Sequence, residues 1–276
     1  MGKLSIVIPC FNDSNYIEQA VNSALAQTYL QKEVIVVDDG SNLETKAVLA
    51  NIKPFIDRLI SQENLGVVAA RNRGIREAQG EYILTLDADD YFEPFFLEKA
   101  CEILEKEPQV GMVTCWINIV DEKGDQMRIA KPSGAAAQNA IYYNNAPGSL
   151  LFRKQCWEEV DGYDKQLDNG NEDWEFNVSI TKKGWKVHVI PEILFNYRLK
   201  QSSRNTKALE YRKKMREYAF KKHKDLLIAD IDKTIDFFLK EIENKENENS
   251  KLRSSLSYRL GELLLKPLRW VKSLFS

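Results

Sequence analysis

Four short apolar runs mark the first third of the chain. Each is followed by a polar or acidic cluster and then by a segment whose apolar positions recur at helical spacing. "LSIVIP" is apolar and β-branched, the pattern of a strand covered on both faces. Asn12 to Ser14 offers capping chemistry for a helix carrying Ile17, Val21, Ala24 and Leu25. "EVIVVDDGS" repeats the strand and acidic turn, with a helix from about Leu43, and "DRLISQENLG" supplies a third strand and turn. "VVAARNRGIREAQG" predicts a helix that Gly80 closes as its C′ residue. "YILTLDADD" is the fourth strand, and "EPFFLEKACEILEKEP" the next helix, with Pro94 near its start. Strands alternating with helices of about 10–15 residues predict an α/β fold with a parallel sheet.

In an open parallel sheet, ligands collect at the carboxyl ends of the strands. Pro9–Asn12, Asp38–Ser41, Asn64–Gly66 and Asp87–Asp90 each follow a predicted strand, so they are expected on one rim. From Val110 the pattern becomes mixed strands and loops, with a helix near "EDWEFNVSITKKG" and then "WKVHVIPEILFNYR" as a strand pair or strand and turn. After Arg198 the chain turns helical and charged. Two regions are therefore expected, a mostly parallel mixed α/β domain over residues 1–200 and a helical extension over 201–276.

Composition narrows the class. The 276 residues are 43% hydrophobic, which suits a globular domain, and the net charge of −2 gives no pull toward nucleic acid. Cys10, Cys101, Cys115 and Cys156 form no CxxC pair, which predicts reduced core thiols. "MGKLSIVIPCFN" runs straight into a strand without a signal-peptide pattern, and no run reaches the roughly 18 apolar residues of a membrane span. A cytoplasmic location is expected. The end, "SLSYRLGELLLKPLRWVKSLFS", reads as a basic amphipathic helix kinked at Pro267. It suits peripheral contact with anionic lipids on the inner face of a cell membrane, or packing on its own domain or on a second subunit of a homodimer.

The candidate chemistry lies in the acids. Strand-end aspartates cap helices and shape turns, and for "DDGS" that reading stands beside hydrogen bonding to a base or ribose. Asp87, Asp89 and Asp90 repel one another, and a divalent cation shared with ligand phosphates resolves the repulsion. Phe11 is an aromatic face for a base or for the core, and Arg71 sits where it can reach a diphosphate.

"SIVIPCFNDSNYIEQAVNSALAQTY", "VIVVDDGSN", "ENLGVVAARNRGI", "GEYILTLDADD" and "NEDWEF", in this order and spacing, resemble a family 2 glycosyltransferase of the GT-A fold over roughly residues 3–200. The resemblance implies an inverting transferase using a nucleotide-sugar donor, with UDP- or dTDP-sugars expected, and Mg²⁺ or Mn²⁺. Pro9, Phe11 and Asp39 match its nucleoside contacts, with Phe11 where tyrosine is more usual; Arg71 matches its diphosphate contact. Asp87 and Asp89 match its DxD, Asp87 on the nucleotide sugar and Asp89 on the metal. Asp173 matches the catalytic base; Glu172, Gly148 and Ser149 fall on the acceptor side. Where many members carry a histidine after "NYR", this chain offers Lys200, which cannot bind metal while protonated but can neutralise a phosphate. The metal's geometry, and the need for it, are left open.

The expected function is transfer of a sugar to a hydroxyl of a glycan or lipid-linked glycan in surface polysaccharide synthesis. A non-catalytic nucleotide-sugar-binding assembly partner is the alternative, disfavoured because a pure binder has no need of Asp173. A nucleotidyltransferase would want a glycine-rich basic loop that "PCFNDSN" lacks.

Overall fold

The computed structural model describes residues 2–134, 137–144, 146–167, 170–200 and 206–260. In chain order the first half is β1 (Leu4–Cys10), α1 (Ile17–Leu25), β2 (Lys32–Asp39), α2 (Leu43–Ile52), β3 (Arg58–Gln62), α3 (Val67–Glu77), β4 (Tyr82–Thr85), β5 (Tyr91–Phe92) and α4 (Phe96–Lys106). Then come β6 (Val110–Val120), β7 (Gln126–Ala130), α5 (Ala137–Ala140), β8 (Leu151–Arg153), α6 (Lys154–Glu159), α7 (Glu172–Lys182), β9 (Lys186–Arg198), α8 (Thr206–Lys222), α9 (Lys224–Ala229) and α10 (Ile231–Ser254).

One sheet runs in the order β3-β2-β1-β4-β8-β6-β9-β5, with β7 added to β6. β3, β2, β1 and β4 are mutually parallel, as the alternation with helices predicts. Antiparallel β8 joins this block to the parallel pair β6 and β9. Both faces of β1 are buried because its side chains alternate between two cores. Leu4, Ile6 and Ile8 pack with Ile17, Val21 and Ala24 of α1 and with Phe96 and Leu97 of α4. Val7 faces the other way, into Val68 and Ile75 of α3 and Phe176 and Ile180 of α7. Stacked Phe92 and Phe96, centroids 4.3 Å apart, with Phe195 at 4.6 Å from Phe92, pin short β5 against β9.

Three local expectations differ from what forms. α1 takes Tyr16 as its N-cap without a side-chain bond, while Asn12 sits in a left-handed conformation and accepts from the Asn42 amide. α3 ends at Glu77 with Ala78 as C-cap. Gly80 instead donates its amide to Ser5 Oγ, and a Cβ there would lie 2.6 Å from the Ser5 nitrogen, so close strand approach is what requires glycine. "WKVHVIPEILFNYR" is a single strand: β6 pairs Cys115 with Ile190 and Trp116 with Ile193. Pro191, which has no N–H to donate, is skipped by this register shift, so a bulge forms where a turn was expected.

The chain divides into compact units at Met1–Lys224 and Asp225–Ser276. The expected boundary after residue 200 therefore differs by one helix. α8 belongs to the first unit because Tyr218 donates to Asp164 at 2.9 Å and Lys222 pairs with Asp164 and Glu175. Residues 261–276, which carry most of the amphipathic end, lie outside the described residues. Among the described residues no helix is long and apolar enough to cross a membrane.

Gly74 sets how closely α3 approaches the sheet, since a Cβ would fall 2.4 Å from Val7 Cγ1 and 3.1 Å from Val37 Cγ2. Gly74→Ala gains up to about 1 kcal/mol of helix propensity but overpacks the core by about 1–3 kcal/mol. A net loss on the order of 1 kcal/mol is expected in urea denaturation; a stabilised variant would contradict the close packing.

Candidate active site

The carboxyl ends of β1, β2 and β4 open on a cavity of about 470 Å³. All four predicted rim loops reach it: Pro9 and Phe11 from the first, Asp39 from the second, Asn64 and Gly66 from the third, Asp87 and Asp89 from the fourth. Phe11 is 45% exposed and so is a cavity-wall aromatic rather than a core one. Gly40, at φ 76°, would carry a Cβ only 2.7 Å from the Asn64 amide nitrogen, so the second and third loops touch. Asp39 binds them together. Its Oδ1 accepts from Gln62 Nε2 and the Leu65 amide, and its Oδ2 from the Gly66 amide at 2.8 Å. Asp38 shapes the turn, accepting from the Ser41 amide at 2.9 Å.

Arg71 projects from α3 into the floor of the cavity and is 2% exposed. Its guanidinium donates to Asp87 Oδ1 at 2.6 Å and to Glu172 Oε1 at 2.8 Å. Burial alone would lower its pKa, but the two carboxylates raise it well above the usual arginine value. Arg71 Nε has no hydrogen-bond partner, a polar atom left open in a buried site. Glu172, expected on the acceptor side, thus lines the first cavity and closes an ion pair from α7 to α3.

A second cation stands across from Arg71. Lys200 Nζ lies 2.5 Å from Asp13 Oδ1 and 2.8 Å from Asp89 Oδ2, and 5.0 Å above the Tyr16 ring. Burial disfavours the ammonium, but Asp89 and Asp13 outweigh it and raise its pKa. Asp89 is itself raised, chiefly by burial and then by the charge of Asp87, with Lys200 opposing. Buried Asp90 is raised further by burial and by both neighbours, while it accepts from the Arg198 amide at 2.8 Å.

Asp173 opens α7 and lines a second cavity, of about 220 Å³, with Ile117, Pro147, Gly148, Ser149 and Phe195. Asp87 lines both cavities, so they meet at that residue. Burial, then the adjacent Glu172 charge, pushes the Asp173 carboxyl up to about 6. Asn144 Nδ2, donating to its Oδ2 at 2.8 Å, the Trp174 amide and Arg71 hold it from rising further. A Cβ on Gly148 would lie 3.3 Å from Asp173 Cβ, and Ser149 Oγ accepts from the Asp87 amide at 3.2 Å. Gly148 thus packs close against Asp173, and Ser149 is bonded to the aspartate turn.

Every predicted site residue therefore sits at one of two adjoining cavities, apart from Lys200, which reaches the first through Asp13 and Asp89. Sequence reasoning missed Asp13, Asn144, Tyr163 and Arg198. Tyr163 lies under the Arg71 guanidinium at 5.5 Å, and Arg198 Nε donates to the Asp89 carbonyl at 3.0 Å. Asp13, inside "PCFNDSN", and Arg198, in "NYRLK", lay in or beside quoted motifs that could have flagged them. His188 pairs loosely with Glu107 at 3.3 Å on β9, away from the site. The cysteines are buried free thiols pushed up to about 12 by burial, which keeps them unreactive.

Asp87 and Asp89 both offer hard oxygen donors at the cavity, and the charge of Asp87 adds to burial in raising the pKa of Asp89. That chemistry fits Mg²⁺ or Mn²⁺ with phosphate oxygens completing the shell. Among the described residues no group of three metal-ligating side chains forms.

The profile described as Glycosyl transferase family 2 matches residues 5–164, more than half of the chain, and the chain belongs to that family. An uncharacterised glycosyltransferase of Rickettsia conorii is 36% identical over 175 residues, covering 59% of this chain and 29% of that protein. One from Methanocaldococcus jannaschii is 24% identical, covering 80% of this chain and 79% of its own length. The chondroitin synthase of Pasteurella multocida is 28% identical over 76% of this chain and 22% of its own. This chain thus spans less than a third of the Rickettsia conorii and Pasteurella multocida relatives. The structure of S. aureus TarS 1-349 in complex with UDP superposes with a TM-score of 0.60 at 20% identity, over 71% of this chain and 60% of that one. That likeness identifies the sheet and its flanking helices as the GT-A fold.

Removing Arg71 leaves Asp87 and Glu172 facing each other without a counterion. Arg71→Met is expected to cost about 3 kcal/mol of unfolding free energy. Adding Glu172→Gln should recover part of that loss, and strict additivity of the two changes in denaturant titrations would argue against the coupling.

Proposed function

We propose that this protein is an inverting glycosyltransferase moving a sugar from a nucleoside-diphosphate donor to a hydroxyl of a glycan or lipid-linked glycan. The observation that carries the reading is that Asp87 is shared by two cavities. One is lined by Arg71 and by Asp13 and Asp89, which pair with Lys200, and the other by a carboxyl with a pKa of about 6. Phe11, Pro9 and Asp39 form the nucleoside end of the first cavity, and the diphosphate lies between Arg71 and Lys200. A UDP- or dTDP-sugar is the expected donor, and the TarS complexes with UDP and UDP-GlcNAc support the former. The relatives named for chondroitin synthesis support a polysaccharide acceptor.

In the reaction, the acceptor hydroxyl enters the second cavity, where Ile117 and Phe195 suit the C–H face of a sugar ring. Asp173 takes its proton as the oxygen attacks the anomeric carbon from the side opposite the diphosphate. One displacement inverts that centre. Arg71 and Lys200 face the charge that develops on the leaving diphosphate. Asp89 with Asp87 would hold Mg²⁺ or Mn²⁺, which when bound supplies Lewis-acid stabilisation of that leaving group.

Asp173→Asn is expected to lower turnover by about 10²–10⁴, measured as release of nucleoside diphosphate with acceptor present, and to leave donor binding intact. Near-normal turnover would remove the base assignment, and release of pyrophosphate would point to a nucleotidyltransferase. The active form of Asp173 is the carboxylate, so kcat/KM should fall as pH drops through about 6. Asn144 donates to that carboxylate and lowers its pKa, so Asn144→Ala should move the acid limb to higher pH. An unmoved limb in a folded Asn144→Ala protein would contradict the tuning.

A further inference from the structure

α10 (Ile231–Ser254) plays no part in the reaction above, yet it carries a heptad period. Ile231, Phe238, Lys245 and Leu252 recur every seven residues, and Ile235, Ile242 and Asn249 recur every seven between them. Alternating steps of four and three residues put both sets on one narrow seam of an α-helix. The seam is open in the single chain: Ile231 is 53% exposed, Ile235 49%, Ile242 56% and Leu252 60%. The positions buried within the chain are Thr234 and Phe237, on an adjoining face. Most remaining positions are charged or amide residues, as in "KEIENKENENSK". Apart from Phe237 and Leu239, the apolar residues of this long polar helix lie on the seam, and among the described residues Ile231, Ile235, Ile242 and Leu252 bury little of the area that ordinarily stabilises such a helix.

We propose that the seam of α10 pairs with the same seam of a second copy of this chain, as a parallel two-stranded coiled coil. The residue types select that occupant. β-branched Ile235 and Ile242 fall at a positions and Leu252 at a d position, the combination found in two-stranded coils, while Ile231, Phe238 and Lys245 at the other d positions add no such preference. Asn249, also at a, can hydrogen-bond to its counterpart only when two identical helices lie parallel and in register. The flanking charges are mixed in this register: Glu248 at g, bonded within the chain to Lys245 at 2.6 Å, faces Arg253 at e of the second copy, whereas Glu241 and Glu246 face each other as like charges with Lys245 between them. Lys245 and Asn249 lower the stability of the seam, so the dimer should be concentration-dependent.

Sedimentation equilibrium of the full chain tests this. Wild type should approach twice the chain mass at high micromolar concentration. Ile235→Asp with Ile242→Asp should remain at the chain mass while keeping the cooperative urea unfolding of the first unit, with helical circular dichroism reduced by no more than the share of α10. Asn249→Cys should form an interchain disulfide on mild oxidation, which the four buried native thiols do not. A wild-type chain that stays monomeric, or a double variant that still dimerises, would overturn the interface. Failure of Asn249→Cys to cross-link would overturn its parallel register. None of these outcomes depends on the transferase reading.

Discussion

The guanidinium of Arg71, held between Asp87 and Glu172, is the contact on which the site depends. It joins three elements that nothing in the chain order brings together: α3, the turn after β4, and the start of α7. An arginine suits the task because its planar fork donates to both carboxylates at once and remains charged at 2% exposure. Without it, the nucleotide-side rim and the helix bearing Asp173 would meet across two unneutralised acids. The same ion cluster therefore organises the fold and aligns the two cavities.

Charge balance in the site follows from that arrangement. Among the described residues, Asp13, Asp87, Asp89 and Glu172 pair with Arg71 and Lys200, and Asp90 and Asp173 feel the charge of these acids. The raised pKa values of Asp89, Asp90 and Asp173 follow first from burial and then from the charge of their neighbouring carboxylates. A diphosphate entering the cavity adds further negative charge. In the proposed reaction the donor therefore has reason to arrive with a divalent cation, and Lys200 has reason to exchange carboxylate for phosphate partners.

What could be read from the sequence was whatever a local pattern encodes. The strand-end acids announced the rim because a parallel sheet aligns strand ends whatever the length of the crossovers, and the four loops do converge. Asp173 stood out through "NEDWEF" and Arg71 through "ARNRG". The pairings of Asp13 with Lys200 and of Asn144 with Asp173 were invisible, since they join residues far apart with no periodicity between them. Gly80 misled because a glycine after a helix usually adopts a left-handed turn, whereas here it makes room for Ser5. The bulge at Pro191 looked like a turn because a proline interrupts a strand pattern in the same way in either case.

Asp173 shows how the parts bear on one another. It stands in the first turn of α7, where the helix dipole favours a carboxylate, and both of its oxygens accept hydrogen bonds. Those contributions alone would leave a weak base. Burial and Glu172 act against them, and Glu172 is fixed beside Asp173 by its bond to Arg71. Arg71, which pairs with Asp87, thus also fixes the charge next to the proposed base. A balance near 6 leaves Asp173 ionised at neutral pH yet basic enough to take a proton from an attacking hydroxyl.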